Sequence, residues 1–375
     1  MKRTISILVI IAMMLASVLA IIPVGAEEAV EGGDSVVEDT TPVGTPVATA
    51  DEFKAAVEAG KDFYLTDSIT LPADWALMDF GATMDGNEKA ITLSGTAGLF
   101  ANLNGATIKN VAIVGEQTAN GIASGATGAV RFENVTSMVK TVKGNDSAAA
   151  FVSGAISPAS ITFIKCTNMT NVVGGLTGGA FGGWIKSGDL VFEDCANLGN
   201  VEAKYAGGYV GAPQNANITV KNSTNGTPEA PVAIKGTASF AGGLFGETFA
   251  NVTLTDVVNC ANVTGGGAVI GGGIIGGFHA EKTFRATNVL NYGAMDVEGA
   301  WNKMGGGFIG DANKANSSFY FVDCVNFGTM KQSGNNNGGG FLGGNQDSPL
   351  YKIVSFVRCI NNCSVVHSVT KSSVW

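Results

Sequence analysis

The chain has 375 residues, of which 45% are hydrophobic and only 14% are charged, and its formal net charge is −9. This acidic balance does not suit a negatively charged partner, so we expect neither nucleic acid nor an anionic lipid surface to bind the protein. The low charged fraction and the 53 glycines are unusual for a globular enzyme and favour stacked β structure with a small polar surface.

The first 26 residues have the pattern of a secretory signal. Lys2 and Arg3 precede an apolar run that ends at Ile22, and Val24-Gly25-Ala26 offers a small-residue cleavage site. An uncleaved anchor is the alternative, but the small residues and the acids that follow favour cleavage. We therefore expect an extracellular or cell-surface protein with no membrane span after the signal is removed. Loss of the two basic residues would change the net charge from −9 to −11.

Residues 27–47 are acidic and rich in Thr, Pro, Gly and Val, which predicts a disordered linker. Residues 48–115 are predicted to form an N-terminal cap and the first coils. A helix should start at Asp51, capped by Thr49 or by Asp51 itself, and stop at Gly60. Its apolar face would consist of Phe53, Ala56 and Val57. Such a helix would lie across the first coil and would prevent the open strand edge of that coil from pairing with other chains.

Short strand-like runs follow the helix, at residues 63–65, 69–71, 90–93, 98–100 and 107–113. Beyond them, eight similar stretches recur, each with an apolar residue three positions before an anchor residue and most with Asn two positions after it. The anchors are Val135, Cys166, Cys195, Ser223, Cys260, Val289, Cys324 and Cys359. Successive anchors are 31, 29, 28, 37, 29, 35 and 35 residues apart. A period in this range indicates one structural unit stacked on itself.

Each unit also carries a glycine signature, two glycines followed by two mostly apolar residues and a glycine. The copies begin at Gly178, Gly207, Gly242, Gly272, Gly306 and Gly339, and a weakened copy begins at Ala149. Apolar residues alternate before each anchor, as in a strand with one buried face. Short strands and sharp corners that recur about every 30 residues predict an all-β fold, the parallel β-solenoid.

Stacked coils should place equivalent residues in columns. One column would contain Phe132, Phe163, Phe192, Phe321 and Phe356, with Val220, Val257 and Ala286 in the gaps. A second column would be an asparagine ladder of Asn168, Asn197, Asn225, Asn262, Asn291, Asn326 and Asn361. An asparagine at a corner tolerates the left-handed conformation, and its amide can bond to the backbone or to the next asparagine.

Five of the six cysteines occupy the anchor column, namely Cys166, Cys195, Cys260, Cys324 and Cys359. Valine or serine replaces them in other units, so we expect free, buried thiols that act as small hydrophobic side chains rather than cystines. Cys359 and Cys363 are the one pair of cysteines for which a disulfide bond is kept as an alternative. Zinc is not expected, because there is no CxxC spacing and the chain has only two histidines.

Residues 85–93 and 105–111 resemble the opening coils of the pectate-lyase-like superfold, and the later units are similar to GLUG-type repeats. The resemblance covers about residues 60–365, with residues 116–365 as the GLUG-like part and residues 366–375 as a C-terminal tail. It implies a right-handed parallel β-helix, with the short N-terminal helix as its cap, in a bacterial surface or secreted protein of adhesin-like character. It implies no catalytic residues.

Enzyme chemistry finds little support in the residue pattern, and we expect no cofactor and no catalytic or metal-binding residues. The GxGxxG copies at 271–276, 305–310 and 338–343 are repeats of one corner, without the strand-to-helix context of a nucleotide site. In the column before the anchor, two acids, Asp194 and Asp323, would lie four coils apart, too far to share a proton or a metal ion.

The sequence therefore predicts a non-catalytic secreted or cell-surface β-helix that binds extracellular glycans or surface proteins, or acts as a spacer. A diverged polysaccharide lyase or glycoside hydrolase is the alternative. Trp184 follows a glycine pair and Trp301 lies in a variable loop, so these two residues are the candidate glycan contacts, although packing in the core or anchoring a loop is the favoured role for each.

Overall fold

The protein was analysed as a computed structural model, which describes residues 42–214, 217–266, 269–279, 281–297, 304–312, 316–332, 337–344 and 351–367. Within these residues the chain is nearly all β, with parallel strands stacked coil upon coil and one short helix near the start. The predicted parallel β-helix with its short N-terminal helix is thus confirmed. The predicted signal at residues 1–26, most of the linker, Trp301 and the end of the tail lie outside the described residues.

One helix, α1 (Ala50–Ala59), follows the first strand. The strands of the first coils are β1 (Thr45–Val47), β2 (Phe63–Leu65), β3 (Ile69–Leu71), β4 (Met78–Phe80), β5 (Thr83–Leu93), β6 (Phe100–Asn104), β7 (Thr107–Thr118), β8 (Ala123–Thr127), β9 (Ala129–Gly144), β10 (Ser147–Ala149), β11 (Val152–Ile156), β12 (Ser160–Ile164), β13 (Thr167–Asn168), β14 (Asn171–Gly174), β15 (Thr177–Gly179), β16 (Gly182–Ile185), β17 (Asp189–Glu193), β18 (Ala196–Asn197) and β19 (Val201–Gly207).

The later coils contain β20 (Val210–Pro213), β21 (Asn217–Asn225), β22 (Ala233–Gly242), β23 (Phe245–Thr248), β24 (Asn251–Asn259), β25 (Asn262–Gly265), β26 (Ile270–Gly272), β27 (Ile275–Phe278), β28 (Thr283–Asn291), β29 (Met295–Val297), β30 (Met304–Gly306), β31 (Ile309–Asp311), β32 (Ser318–Val322), β33 (Val325–Asn326), β34 (Met330–Gln332), β35 (Asn337–Gly339), β36 (Ile353–Val357), β37 (Ile360–Asn361) and β38 (Val365–His367).

Strands pair in parallel with the equivalent strands of the coils before and after them. Within the described residues, 29 strands form one hydrogen-bonded sheet that bends around the coil, and nine form a second sheet. The second sheet consists of β4, β6, β8, β11, β16, β20, β23, β27 and β31. Because neighbouring parallel strands lie roughly 4.8 Å apart, residues in register form files that run along the stack.

The N-terminal end is closed by α1, as expected. Thr49 caps the helix, and Glu52 completes a capping box, while Gly60 ends it in the left-handed conformation with φ of 60°. Phe53, Ala56 and Val57 are buried under it. The Phe53 ring packs edge-on against Phe63, with centroids 5.4 Å apart, so the helix covers the apolar interior of the first coil.

The predicted linker extends too far at its C-terminal end. Residues 45–47 lie in the range predicted to be disordered, but they form β1, which pairs in parallel with β2. Val47 is buried, so its burial against the first coil outweighs the local composition that suggested disorder. The N-terminal boundary of the β-helix therefore lies before residue 47 rather than after it.

Phenylalanines stack inside the coils. Phe132, Phe163 and Phe192 lie in one file with nearly parallel rings, and the centroid distances are 5.2 Å and 5.0 Å. All three are buried. A second aromatic file, which includes Phe151 and Phe181, packs against the first one. Offset stacking of this kind adds about 0.5–1.5 kcal/mol per pair beyond the burial of area, so the two files stabilise the coil interior.

The alignment of one unit by sequence was wrong by three residues. Val220 pairs with Leu254, and Ser223 pairs with Val257, so Leu254 takes the place in the phenylalanine file that Val257 was predicted to hold. Val257, and not Cys260, is the anchor of this coil. Anchor spacings of 37 and 29 residues thereby become 34 and 32, which are more even.

The asparagine ladder is corrected in the same unit. Asn259 pairs with Asn225 and with Asn291, whereas Asn262 lies in β25 opposite Ala233. The structure therefore places Asn168, Asn197, Asn225, Asn259, Asn291, Asn326 and Asn361 in one file. The sequence Asn259-Cys260-Ala261-Asn262 contains two asparagines three residues apart, and only the pairing of strands distinguishes them.

The left-handed corner also lies elsewhere than expected. Positive φ values occur in the residue before the anchor, three positions ahead of each ladder asparagine, and they range from 48° to 55° in this column. The column from the second coil onward contains Asn110, Asn134, Lys165, Asp194, Asn222, Asp256, Asn288, Asp323 and Arg358. Because Val257 and not Cys260 is the anchor of its coil, Asp256 belongs to this column. Acids therefore recur at every second coil, at Asp194, Asp256 and Asp323.

Candidate functional site

The candidate site lies on the second sheet, just after the glycine signature. There, Trp184 pairs with Ala212, Glu247 pairs with Gly277, and Gly277 pairs with Asp311. The register that joins Val210 to Phe245 puts Ala212 next to Glu247 when it is continued by two residues. These five residues therefore form one file. Its two small residues, Ala212 and Gly277, leave room beside the longer side chains of the other three.

A pocket of about 130 Å³ opens beside this file. We call it the Trp184 pocket, and its lining consists of Leu176, Thr177, Trp184, Tyr205, Ala212, Gln214 and Glu247. Both aromatic side chains are half-buried, so each exposes part of its ring surface. The Nε1–H group of Trp184 is buried and has no hydrogen-bond partner. A buried donor without an acceptor costs about 1–3 kcal/mol.

Glu247 also belongs to a second group, the His279 cluster, which consists of Glu247, His279 and Asp311. The Nε2 atom of His279 lies 3.5 Å from the Oε1 atom of Glu247, and its Nδ1 atom lies 4.0 Å from the Oδ2 atom of Asp311. The side chains are only 14%, 15% and 5% exposed for His279, Glu247 and Asp311. The imidazole thus lies between two carboxyl groups that come from different coils.

Gly277 makes room for this imidazole. A Cβ atom at Gly277 would overlap the Nε2 atom of His279 and would lie 2.8 Å from the Phe240 ring. The Phe240 ring meets the imidazole edge-on at 4.8 Å, and Phe249 covers it at 5.6 Å. Phe240 also stacks on Tyr205, with centroids 6.1 Å apart. The His279 cluster and the Trp184 pocket are therefore parts of one continuous aromatic and acidic face.

Burial and the neighbouring Asp311 raise the pKa of Glu247 to about 7. Burial and Asp311 also raise the pKa of Tyr351. Two lysines lie near the aromatic rings: the Nζ atom of Lys186 is 5.0 Å from the Trp184 ring, and that of Lys204 is 5.9 Å from the Tyr205 ring. The face thus combines a carboxyl group whose pKa is raised with flanking cations.

A metal centre does not emerge from this arrangement. Across the described residues, no group of three or more His, Cys, Asp or Glu side chains converges so that it could hold an ion. The three members of the His279 cluster contact one another in a row instead of facing a common point. The same part of the chain also contains no helix with the length and apolar character that crossing a membrane would require.

Of the two predicted glycan contacts, the structure places Trp184 in the pocket, while Trp301 lies outside the described residues. Trp75 is buried, and its Nε1–H donates to the carbonyl of Leu99 at 2.9 Å. In the cysteine column, Cys166, Cys195 and Cys324 are buried at anchor positions, whereas Cys260 is buried one residue after the ladder asparagine. Cys359 and Cys363 are free thiols with intermediate exposure.

Sequence reasoning missed Glu247, His279 and Asp311. A signal was present, because Trp184, Glu247 and Asp311 each directly follow the last glycine of a signature copy. The sequence pattern starts this copy at Gly178, one residue too early, since the structure pairs Gly179, and not Gly178, with Gly207. That shift placed Gly183 after the signature and hid the equivalence of Trp184 with Glu247 and Asp311.

No protein family model and no curated protein matches this chain. Among solved structures, a protein of Bacteroides ovatus described as a candidate immunoglobulin A1 protease is 15% identical, with a TM-score of 0.41, and the match covers 86% of this chain and 84% of that one. A protein described as L. reuters 100-23 SRRP is 13% identical, with a TM-score of 0.30, over 86% of this chain and 98% of that one. Similarity this distant bears on neither activity nor ligand.

Proposed function

We propose that this protein is an exported, surface-displayed β-helix of adhesin-like, non-catalytic character, which binds extracellular glycans or surface proteins through the face that contains the Trp184 pocket. The observation that carries the proposal is the pocket itself. Its wall includes two partly exposed aromatic rings, those of Trp184 and Tyr205, together with the polar side chains of Gln214 and Glu247. Concave sites with aromatic walls and a few directed polar groups are typical of ligand-binding sites.

The position of the pocket supports binding over a pure spacer role. Its residues come from strands of several successive coils, namely β15, β16, β19, β20 and β23, together with Leu176 and Gln214. The backbone hydrogen bonds of the stack hold these strands in fixed register, so the pocket exists before a ligand arrives. Preorganised side chains lose little conformational freedom on binding. A spacer would need neither the unsatisfied indole nor the acidic cluster beside it.

A binding screen tests this proposal. The protein is applied to arrays of extracellular glycans and of surface proteins, and each hit is remeasured with Trp184→Ala and with Phe327→Ala. Phe327 is an exposed aromatic residue in a different file, stacked on Tyr292, so it provides a matched control. We expect at least a tenfold loss of affinity for the first variant and none for the second. An absence of hits, or equal binding by Trp184→Ala, would refute the proposal.

A second candidate function is that of a diverged polysaccharide lyase or glycoside hydrolase. The observation in its favour is Glu247, whose raised pKa suits a general acid and which lies two coils from Asp311, roughly 9–10 Å by strand spacing. Against it, the imidazole of His279 occupies the space between the two carboxyl groups, where an inverting hydrolase needs its water and substrate.

Degradation assays decide between the two functions. Pectin, alginate and neutral polysaccharides are incubated with the protein, with and without calcium, and the release of reducing ends and unsaturated products is followed. We expect no products. Product formation that Glu247→Gln or Asp311→Asn abolishes would establish the enzyme and reject the non-catalytic proposal.

A further inference from the structure

We propose that Cys324 and Cys359 are a modification site, at which oxidation forms a disulfide bond between two neighbouring coils and fastens the last described coil to the one before it. This bond requires no ligand in the Trp184 pocket, so it goes beyond the proposed function. It also differs from the pairing of Cys359 with Cys363 that the sequence leaves as an alternative.

Strand register places the two cysteines opposite each other. β32 pairs with β36 and β33 pairs with β37, and Cys324 and Cys359 occupy the equivalent corners between these strands. The Ile360 N–H donates to the carbonyl of Cys324 at 2.9 Å, and one position before Cys359 the Arg358 guanidinium forms two hydrogen bonds with the carboxylate of Asp323. Opposite residues of neighbouring parallel strands lie roughly 4.8 Å apart, within the Cα separations of about 4.4–6.8 Å that disulfides span.

The two thiol groups point in the same direction. The Sγ atom of Cys324 donates to the carbonyl of Val322 at 3.3 Å, and that of Cys359 donates to the carbonyl of Val357 at 3.4 Å. Because Val322 and Val357 are themselves paired, the two sulfur atoms lie one above the other along the stack. Burial, and to a smaller extent the neighbouring Cys359 thiol, raise the pKa of Cys324 to about 11.

The last described coil can make the small adjustment that a disulfide requires. Bonded cysteines have Cβ atoms about 3.5–4.5 Å apart, so the two corners must approach each other by a few tenths of an ångström from the strand spacing of roughly 4.8 Å. Phe356 and Ile360 of this coil are 48% and 58% exposed, whereas Phe321 in the coil before it is buried. A segment with little buried apolar surface opens and shifts at a low cost in free energy.

A second pair of stacked cysteines lacks these properties. Cys166 and Cys195 occupy equivalent corners of two adjacent coils, between β12 and β13 and between β17 and β18. Both are buried, and further coils pair with these two on either side. The close-packed interior therefore resists a change of spacing and excludes an oxidant. The chain thus contains an internal control, which has the same register but no access.

Thiol–disulfide exchange with a small disulfide such as oxidised glutathione forms the proposed bond. The thiolate of the more exposed Cys359 attacks one sulfur of the oxidant, and one glutathione thiolate leaves. The thiolate of Cys324 then attacks the Cys359 sulfur of this mixed disulfide, and the second glutathione thiolate leaves. The two cysteines lose two electrons and two protons, and the oxidant is reduced to two molecules of glutathione. Extracellular surroundings are oxidising, so export favours the bonded form.

The experiment uses the whole chain, which is first reduced and then incubated with oxidised and reduced glutathione at pH 8.5. Remaining thiols are alkylated after unfolding, and peptide mass mapping without reduction identifies each bond. We expect a pair of peptides joined through Cys324 and Cys359 as the main product, with no bond between Cys166 and Cys195. A main product that joins Cys359 to Cys363, or the absence of any bond, would overturn the proposal.

Two variants separate the pair from its neighbour. Cys324→Val should abolish the bond, and the fold accommodates valine at this anchor position, because Val257 and Val289 occupy it in the two preceding coils. Cys363→Ser should leave the bond intact, because the Cys363 Sγ atom lies 3.9 Å from the Sδ atom of Met330. Loss of the bond in Cys363→Ser contradicts the assignment. If Cys324→Val folds poorly, the wild-type map and Cys363→Ser decide the question.

Amide exchange tests whether the bond fastens the coil. The N–H groups of Ile360 and Asn362 donate to the carbonyls of Cys324 and Asn326, so their exchange reports separation of the two coils. Oxidation should slow exchange at both amides by about tenfold or more in wild type and in Cys363→Ser, and it should leave Cys324→Val unchanged. Equal exchange before and after oxidation would show that the bond does not hold the coil, and faster linkage of Cys166 with Cys195 would show that access does not select the pair.

Discussion

The amide of Asn225 joins two different parts of the next coil. Its Nδ2 atom donates to the Oδ1 atom of Asn259 at 2.8 Å and also to the carbonyl oxygen of Gly243, so both of its hydrogens are used. Asn259, Asn291 and Asn326 repeat this pattern with Gly273, Gly307 and Gly340. In these coils the asparagine ladder therefore ties the anchor corner to the glycine signature, which explains why the two motifs recur together.

Replacing Asn259 with alanine should lower the free energy of unfolding by about 1–3 kcal/mol, because buried backbone and amide groups lose their partners. Asn262→Ala is the matched control. Asn262 accepts one bond from the Ala294 N–H and is only half-buried, so its loss should cost less than about 1 kcal/mol. Urea unfolding followed by circular dichroism measures both values. A larger effect for Asn262→Ala would contradict the register described above.

The second glycine of the signature should not tolerate a side chain. A Cβ atom at Gly243 would overlap the carbonyl of Gly273 and would lie 2.6 Å from the Nδ2 atom of Asn259. We expect Gly243→Ala to destabilise the protein by about 1–3 kcal/mol or more, since the stack must separate to admit the methyl group. Gly266→Ala provides the control, because nothing lies within 4 Å of a Cβ atom there. Equal melting temperatures for the two variants would refute this packing.

Phe163 lies between Phe132 and Phe192 in the phenylalanine file. Phe163→Ala should cost about 3–5 kcal/mol, because it removes four ring contacts, with Phe132, Phe192, Phe151 and Phe181, and leaves a cavity in the coil interior. Phe327→Ala removes a ring of the same size that is 40% exposed and should cost less than about 1 kcal/mol. Guanidinium unfolding of both variants checks the prediction, and a cost for Phe163→Ala as small as that of Phe327→Ala would show that the file does not stabilise the stack.

The pKa of Glu247 predicts how stability depends on pH. In the unfolded chain its pKa is close to 4.5, whereas in the folded protein it is about 7. Between these values the folded state binds the extra proton, so the contribution of Glu247 to the free energy of unfolding decreases as the pH rises, by at most about 1.4 kcal/mol per pH unit, and levels off above pH 7.

Urea titrations from pH 4.5 to 8 with wild type and Glu247→Gln isolate this contribution. The difference in unfolding free energy between the two proteins should shift in favour of the variant across this range. Glu202→Gln, whose exposed carboxyl group pairs with Lys235, should instead differ from wild type by a nearly constant amount. A constant difference for Glu247→Gln as well would mean that Glu247 is ionised in the folded protein throughout.

Burial should divide the cysteines into two reactivity classes. Burial raises the pKa of Cys260 and of Cys324 to about 11, and it raises the pKa of Cys166 well above the ordinary thiol value. Cys359 and Cys363 have intermediate exposure. With reduced protein at pH 8, a thiol reagent should label these two first and the other four only after unfolding. Peptide mass mapping identifies the sites, and rapid labelling of Cys166 or Cys195 would contradict the burial described here.

The repeat by itself determined the architecture. In a parallel stack the same repeat position lies above itself in every coil, so a residue that suits the interior or a corner is used again and the columns become visible in the chain. Six of the seven ladder asparagines and four of the five anchor cysteines follow from that regularity. The capping helix was likewise predictable, because Thr49, Phe53 and Gly60 carry local signals for its start, its buried face and its end.

The tertiary structure decided between alternatives that the local sequence pattern does not distinguish. Asn259 and Asn262 both fit the ladder by spacing, and only the pairing of β24 with its neighbours selects the first. The sequence also does not show that Glu247, His279 and Asp311 lie together, because they come from three different coils. Loop lengths vary between coils, so the distance along the chain does not report which side chains meet. Strand register brings these three together, and the space that Gly277 leaves empty holds the imidazole between the carboxyl groups.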